Sequence, residues 1–158
     1  REGKEAKAIG LSIDHRPARP GERGRIEAAG GRVQPKRTEW GHMVGEPRIW
    51  LKDIDMPGLL VSRSIGDKMA QSVGCSPEPE IVKRTLDSRK DRWLVIASDG
   101  IWDVMSNSEV IEIAEEAGDA GVACQAIMEK ALEQWEEKFM ADNITVVVVQ
   151  FVWKPKNA

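Results

Sequence analysis

Residues 93–105 read WLVIASDGIWDVM, an apolar run that ends in Ser-Asp-Gly and then carries a second aspartate. The run Trp93–Ala97 is typical of a strand that is buried on both faces. Asp99 and Gly100 follow it at the edge of the expected sheet, where a carboxylate can meet both solvent and a cation. Asp103 comes four residues after Asp99, so a helical turn here would place both carboxylates on one face.

A second apolar run, ITVVVVQFV, covers Ile144–Val152 and is preceded by Asp142 and Asn143. If the two runs lie in one sheet, Asp99 and Asp142 can stand side by side at its end. Together with Asp103 they would form a cluster of like charges, which must raise a pKa or bind a neutralising cation. A hard divalent ion with oxygen ligands is the natural occupant of such a cluster.

Each of these acids also has a plain structural explanation. Asp99 suits the turn Ser-Asp-Gly, Asp103 suits a solvated surface, and Asp142 suits a turn before a strand. Taken singly, the structural explanations are favoured. The joint pattern of two buried strands, each flanked by an acid at the appropriate end, favours a metal site.

Composition narrows the class of protein. A chain of 158 residues fits one domain, and a net charge of −3 does not favour nucleic acid as a partner. Cys75 and Cys124 lie far apart without CxxC spacing, which indicates a reducing, intracellular compartment, cytoplasmic or nuclear. No apolar run approaches the roughly 18 residues that span a bilayer, so no membrane partner is predicted. Because the chain begins with Arg1, we expect a trimmed fragment whose N-terminal targeting is not observable.

Local signals predict three helices. The first lies near Glu22–Ala29 and is stopped by two glycines. Ser106 and Glu109 have the spacing of a capping box, which opens a second helix that ends at Gly118. A third helix is predicted for about Asp119–Met140. The apolar stripes of these last two helices are Val110, Ile113, Ala114 and Ala117, and then Ala123, Ile127, Ala131, Trp135 and Phe139.

The strand signals are weaker outside the two apolar runs. Ala8–Ile13 is predicted as a short edge strand, and Glu80–Leu86 as a strand that forms a hairpin with Trp93–Ala97. Arg32–Gly58 lacks clear periodicity, although RIWLKDID within it could pair as a strand. Long stretches of this kind tend to be lids or binding loops. A solvated insertion is an equal alternative.

Six segments, in this order, resemble the metal-dependent Ser/Thr protein phosphatases of the protein phosphatase 2C family. They are LSIDHRP, RIEAAGGRV, GLLVSRSIGD, PEPEI, WLVIASDGIWDVMSNSEV and ADNITVVVVQF. The resemblance implies an α+β fold, part of an α-β-β-α sandwich of antiparallel sheets flanked by helices. Residues 1–158 would be the C-terminal portion of that domain, with a flap-like insertion at about residues 31–59.

The resemblance also implies a metal centre of two Mg²⁺ or Mn²⁺ ions and a third, weaker site. Asp99 and Asp142 would ligate one metal of the pair, Asp103 would belong to the weaker site, and Gly100 and Asn143 would support the ligands. The implied reaction is hydrolysis of phosphoserine and phosphothreonine in phosphoproteins by a metal-activated water, without a covalent intermediate. No catalytic residue beyond the metal ligands is then expected on this chain.

The chain departs from the family pattern in one respect. The family's Asp-Gly-His-Gly segment is absent, and the only histidines, His15 and His42, do not follow Asp-Gly. We therefore expect little activity from this polypeptide alone. A non-catalytic pseudophosphatase or truncated binding module is the alternative. Uncovered apolar surface should promote association with itself or with the missing N-terminal half.

Three further residues carry open assignments. His15 is expected to be a loop residue rather than a metal ligand. Arg63 suits a phosphate contact or a structural ion pair equally well. Asp67 is expected to cap a turn and hold the base of the flap.

Overall fold

A computed structural model describes residues 7–153, and the chain divides into two compact units. One unit is Ser12–Val82, and the other comprises, of the described residues, 7–11 and 83–153. The first contains α1 (Pro20–Ala28), β1 (Arg32–Arg37), β2 (Met43–Trp50), β3 (Pro57–Leu59) and α2 (Lys68–Gln71). The second contains β4 (Trp93–Ala97), α3 (Asp99–Trp102), α4 (Asn107–Ala117), α5 (Ala120–Glu137) and β5 (Val146–Gln150).

The unit Ser12–Val82 is built on a three-stranded antiparallel sheet in the order β1-β2-β3. Its helix α1 begins at Pro20, where the fixed φ of proline suits the first turn. Gly74, at φ 93°, lies so close to α1 that a side chain there would overlap Ile26 and Arg25. The core of this unit consists of Ile26, Val33, Ile49, Ala70, Val73 and Cys75.

This sheet occupies the segment that shows no strand periodicity in the sequence. Pro35 lies inside β1, where the register between β1 and β2 shifts, and a second shift lies between Ile49 and Trp50. Such an irregularity places an extra residue on one of two paired strands, so the alternation of inward and outward side chains is interrupted there. The two-residue period is therefore broken along the chain, although the strands pair.

The second unit is a two-stranded antiparallel sheet, β4-β5, covered on one side by helices α4 and α5. Trp93–Ala97 forms a strand with the predicted bounds, and β5 is the central part of the predicted Ile144–Val152. Both predicted helix stripes face the core over most of their length. Their buried members are Val110, Ala114, Ala123, Ile127, Ala131 and Trp135.

The prediction that β4 is buried on both faces is wrong for the unit as the structure describes it. Val95 and Ala97 pack towards the helices, whereas Ile96 is 60% exposed and its cross-strand partner Val147 is 51% exposed. Helices cover only one face of this sheet, so the alternate residues of both strands remain in solvent.

Four other local predictions are wrong. Residues 8–13 and 80–86 form no strand, and β4 pairs with β5 rather than with a hairpin neighbour. Weak alternation becomes a strand only where a partner strand satisfies its backbone groups. Phe139 does not continue the stripe of α5, because the helix ends at Glu137 and Phe139, at φ 53°, is 98% exposed.

None of the helices in the described part of the chain is both long enough and apolar enough to span a membrane.

Candidate metal site

The pairing of β4 with β5 brings the two predicted acids to the same end of one sheet. Ala97, the last residue of β4, pairs with Val146, the first residue of β5. Asp99 therefore leaves the sheet where Asp142 approaches it, as the two apolar runs predict. Both residues are exposed, so their carboxylates are open to solvent.

Ser98 joins the two chain segments beside these acids. Its backbone N–H donates to the carbonyl oxygen of Thr145 at 2.9 Å, and the N–H of Thr145 donates to Ser98 Oγ at 3.1 Å. Ser98 Oγ also donates to the carbonyl oxygen of Asn143 at 3.1 Å. These bonds hold the residue before Asp99 against the residue after Asp142.

Gly100 makes the close approach of the two segments possible. It is buried, and a Cβ atom at this position would overlap the carbonyl oxygen of Asn143. Its own carbonyl oxygen accepts a hydrogen bond from Trp135 Nε1 at 2.8 Å, which ties α3 to α5. The positions of Gly100 and Asn143 thus set the spacing between the two acids, while their supporting role at a metal remains a prediction.

Asp99 and Asp103 lie on one helical turn, as their spacing predicts. Asp99 is the first residue of α3 and Asp103 is its C-cap, with the N–H of Asp103 donating to the carbonyl oxygen of Asp99 at 2.9 Å. Lys138 Nζ donates to the backbone carbonyl of Asp103 at 3.2 Å. This contact places a cation beside the exposed end of the turn.

Asp142 has a structural role of its own. Its Oδ1 accepts a hydrogen bond from the N–H of Asn143 at 2.7 Å, which fixes the turn before β5. The carboxylate retains lone pairs for a second partner. The turn explanation and the ligand explanation are therefore compatible for this residue.

The chemistry of the donors fits a hard divalent cation, but the set is incomplete. Asp99 and Asp142 offer exposed carboxylate oxygens, the donor type that Mg²⁺ and Mn²⁺ prefer. Within residues 7–153, however, no group of three or more His, Cys, Asp or Glu side chains is placed to hold a metal ion. The described chain offers part of a ligand set at most.

The other predicted residues belong to the unit Ser12–Val82. His15 Nε2 lies 2.9 Å from Glu80 Oε2, in a loop. Asp67 caps α2 by accepting from the N–H of Ala70 at 3.3 Å, which confirms the predicted cap. Its role at the base of a flap remains a prediction.

Arg63 forms the structural ion pair rather than standing open to solvent. Its Nη2 donates to Glu22 Oε1 at 2.8 Å. Glu22 is only 4% exposed, and it also accepts two bonds from Arg25 and one from the hydroxyl of Ser62. These bonds, chiefly those from Arg25, hold the pKa of the Glu22 carboxyl well below its usual range.

The sequence alone does not distinguish Glu22 from the other acid of its helix. The available signal was its spacing of three residues from Arg25 within a helix, which permits an ion pair on one face. Nothing local indicates that Ser62 and Arg63, about forty residues away, complete the cluster.

The comparisons with known proteins agree with this fold. The family model described as protein phosphatase 2C matches residues 3–140. Probable protein phosphatase 2C 73 of Oryza sativa subsp. japonica is 41% identical over 143 residues, covering 89% of this chain and 33% of that protein. Probable protein phosphatase 2C 12 of the same organism is 37% identical over 137 residues, covering 87% and 34%.

A crystal structure of a serine-threonine phosphatase 2C from Toxoplasma gondii superposes with a TM-score of 0.76 at 31% identity. That match covers 90% of this chain and 46% of the other. The chain spans about a third of the length of the curated relatives it matches. The predicted α+β class with antiparallel sheets is confirmed, and the chain belongs to the protein phosphatase 2C family.

Proposed function

We propose that the protein of which this chain is a part hydrolyses phosphoserine and phosphothreonine in phosphoproteins, and that it requires Mg²⁺ or Mn²⁺. The observation that carries the proposal is the convergence of Asp99 and Asp142 at one end of the β4-β5 sheet, in a chain of the protein phosphatase 2C family. The curated relatives support it through their names.

The proposed roles follow from the positions of the side chains. Asp99 and Asp142 would hold an ion of a two-metal centre through carboxylate oxygens, and Asp103 would serve a third, weaker site. Ser98 and Gly100 hold the segments that carry these two aspartates together through their contacts with Asn143. Divalent ions at such a site supply a lowered pKa for water and neutralise charge on a phosphoryl group.

The three-stranded sheet β1-β2-β3 is the proposed flap-like insertion, at about residues 31–59. Its strands and connections carry exposed basic residues, including Lys36 and Arg37. Cations of this kind can attract a phosphorylated, acidic segment of a substrate. We assign substrate preference to this sheet on that basis.

By itself, this polypeptide is expected to have little activity, because its described residues offer an incomplete ligand set. A truncated or non-catalytic binding module is the alternative, and the exposed apolar face of β4-β5 favours it. We propose that this face associates with a second copy or with further protein, since a sheet with one uncovered apolar face gains free energy by burying it.

The decisive assay measures hydrolysis of a phosphothreonine peptide by the full-length protein, with and without Mn²⁺. We expect Asp99→Asn and Asp142→Asn each to lower kcat by more than about 100-fold, since even outer-shell changes at metal sites cost 10- to 100-fold. Asp53→Asn, at an exposed position, is the control and should change kcat little. Full activity of Asp99→Asn in Mn²⁺ would contradict the proposal.

A second assay needs only this chain. Mn²⁺ should raise its thermal midpoint weakly, because an ion that binds the folded state stabilises it. Asp99→Asn should abolish the shift, whereas Asp53→Asn should retain it. An unchanged shift in Asp99→Asn would place the ion elsewhere.

A further inference from the structure

Helices α4 and α5 border a groove that contains none of the predicted metal ligands. It has a volume of about 410 Å³. Its apolar lining comes from Met105, before α4, from Ile113 in α4 and from Ala126 in α5. A concave surface of this size accommodates a few side chains of a docked segment.

Three glutamates of α4 line the groove. They are Glu109, Glu112 and Glu116, at steps of three and four residues. At a rise of 1.5 Å per residue, these carboxylates extend over roughly 10 Å of one helix face. Glu109 is engaged with the N–H of Ser106 at 2.7 Å, while Glu112 and Glu116 have no ion-pair or hydrogen-bond partner among residues 7–153.

The opposite wall offsets this charge only in part. Lys130 of α5 lines the groove, but its Nζ donates to Glu133 Oε2 at 2.7 Å. That bond is the main reason why the pKa of Lys130 is raised, and the carboxylates of Glu137 and of Glu109 in the opposite wall add smaller contributions. The groove therefore combines an apolar floor with an excess of negative charge on its rim.

We propose that this groove docks a basic segment of a partner protein, an amphipathic helix whose apolar residue enters the floor and whose lysines or arginines meet Glu112 and Glu116. Amphipathic helices dock in apolar grooves through anchors spaced one helical turn apart. Here Glu112 and Glu116 are four residues apart and have no partner within the part of the chain that the structure describes, so they match cations one turn apart on such a helix. Charge complementarity selects a basic partner and disfavours an acidic one.

The site is independent of the proposed hydrolysis. It uses neither Asp99 nor Asp142, and its lining lies wholly on the segment 105–130 of one compact unit. Loss of docking would leave the Mn²⁺-dependent thermal shift intact. The two proposals therefore fail separately.

The test uses a short fluorescein-labelled peptide with two leucines one helical turn apart and lysines beside them. Fluorescence anisotropy measures its Kd for the chain, and a peptide with glutamates in place of the lysines serves as the opposite probe. We expect saturable binding of the basic peptide, weakened by added NaCl because exposed charge pairs are screened by salt. The acidic peptide should not bind.

Two variants assign the binding to the groove. Glu112→Lys with Glu116→Lys should weaken the basic peptide by about tenfold or more, since attraction becomes repulsion at two positions. Glu129→Lys with Glu136→Lys changes the net charge equally at exposed positions of α5 outside the groove, and should change Kd less than about twofold. Circular dichroism and the thermal midpoint establish that both variants fold. If the charge-reversed groove variant does not fold, Glu112→Gln with Glu116→Gln replaces it in the binding measurement.

Three outcomes would overturn the proposal. They are the absence of saturable binding of the basic peptide, equal binding of the acidic peptide, and an equal loss of affinity in the groove and control variants. The last result would show that the peptide responds to the net charge of the chain and not to the groove.

Discussion

Gly100 occupies a position with no room for a side chain. It lies in α3 directly after Asp99, and its Cα faces the backbone carbonyl of Asn143. Any larger residue must push the segment before β5 away from α3. The separation of Asp99 from Asp142 therefore depends on a residue that carries no functional group.

We expect Gly100→Ala to lower the free energy of unfolding by about 1–3 kcal/mol, the usual cost of overpacking a closely packed site. It should also weaken any Mn²⁺-dependent thermal shift, because the ligands move apart. Urea denaturation measures the first effect. Gly24→Ala in α1 is the control: a Cβ there meets nothing within 4 Å, so the helix should gain about 0.5–1 kcal/mol. A loss no larger in Gly100→Ala than in Gly24→Ala would contradict the argument.

Glu22 is a buried acid whose pKa is lowered by its neighbours. Its buried carboxylate accepts hydrogen bonds from Arg25, Arg63 and Ser62. A second ion-pair group lies in the same unit, where Arg19 and His15 bind Glu80 and lower its pKa to about 2. Glu80 is exposed and screened by solvent, so removing the charge of the buried Glu22 should cost more stability than removing that of Glu80.

We expect Glu22→Gln to destabilise the fold by about 3 kcal/mol at pH 7, because it leaves two arginines without their counter-charge. The pKa of Glu22 lies below its ordinary value of 4.5. Its contribution to stability is thus complete above about pH 4.5 and is lost as the pH falls towards the folded-state pKa.

Urea denaturation between pH 7 and pH 3 tests this. Stability of the unaltered chain should fall steeply below pH 4.5, and the fall should be shallower in Glu22→Gln, which has no proton to gain at this position. Glu27→Gln removes an exposed contact of 3.5 Å to Arg23 and should cost less than about 0.5 kcal/mol. Parallel pH curves for the unaltered chain and Glu22→Gln would refute the assignment.

Among the described helices, α4 has capping signals at both of its ends. Ser106 Oγ accepts from the N–H of Glu109 at 3.3 Å, and Glu109 accepts in return from the N–H of Ser106 at 2.7 Å. Gly118 closes the helix at φ 68° in the left-handed region. The predicted capping box and the predicted end of the helix are both confirmed.

Replacing Ser106 by Ala should cost about 1 kcal/mol, because a backbone N–H of the first turn loses its acceptor. The thermal midpoint measured at neutral pH reports the loss. Ser108→Ala, two residues on in the same helix and at an exposed position, is the matched control and should be neutral or slightly stabilising. Equal effects of the two changes would show that the cap contributes nothing.

The face of β4-β5 turned away from the helices is apolar and exposed. Ile96 and Val147 are opposite each other in the register, and Val149 beside them is 37% exposed. Among residues 7–153, neither strand has a second neighbouring strand. An uncovered apolar sheet with free edges is a common cause of association.

We therefore expect the chain to associate as its concentration rises, which analytical ultracentrifugation detects as an increasing weight-average mass. Ile96→Lys should suppress this, because it puts a charge in the centre of the apolar face. Val122→Lys, at a similarly exposed position (57%) on α5, should associate like the unaltered chain. A constant monomer mass for the unaltered chain would exclude this face as an interface.

The sequence alone determined the parts of this protein that depend on near neighbours in the chain. The strand Trp93–Ala97, the core of the last strand, the capped helix α4 and the stripe of α5 follow from period, caps and glycines within one element. Six ordered segments were enough to indicate the family. The signals for the strands and helices each lie within a single element, and the family resemblance depends on the order of segments along the chain, so no tertiary contact was needed to interpret them.

Only the tertiary structure decided which of these elements meet. Because the register of β1-β2-β3 is irregular, the sequence of these strands shows no two-residue period, and the sheet could not be predicted from it. The partner of β4 is β5, which lies more than forty residues later in the chain. The Glu22 cluster, the contact of Gly100 with Asn143 and the acidic groove beside α5 all join residues that are distant in the chain. Such contacts depend on how the elements pack, and no local pattern of side chains records that packing.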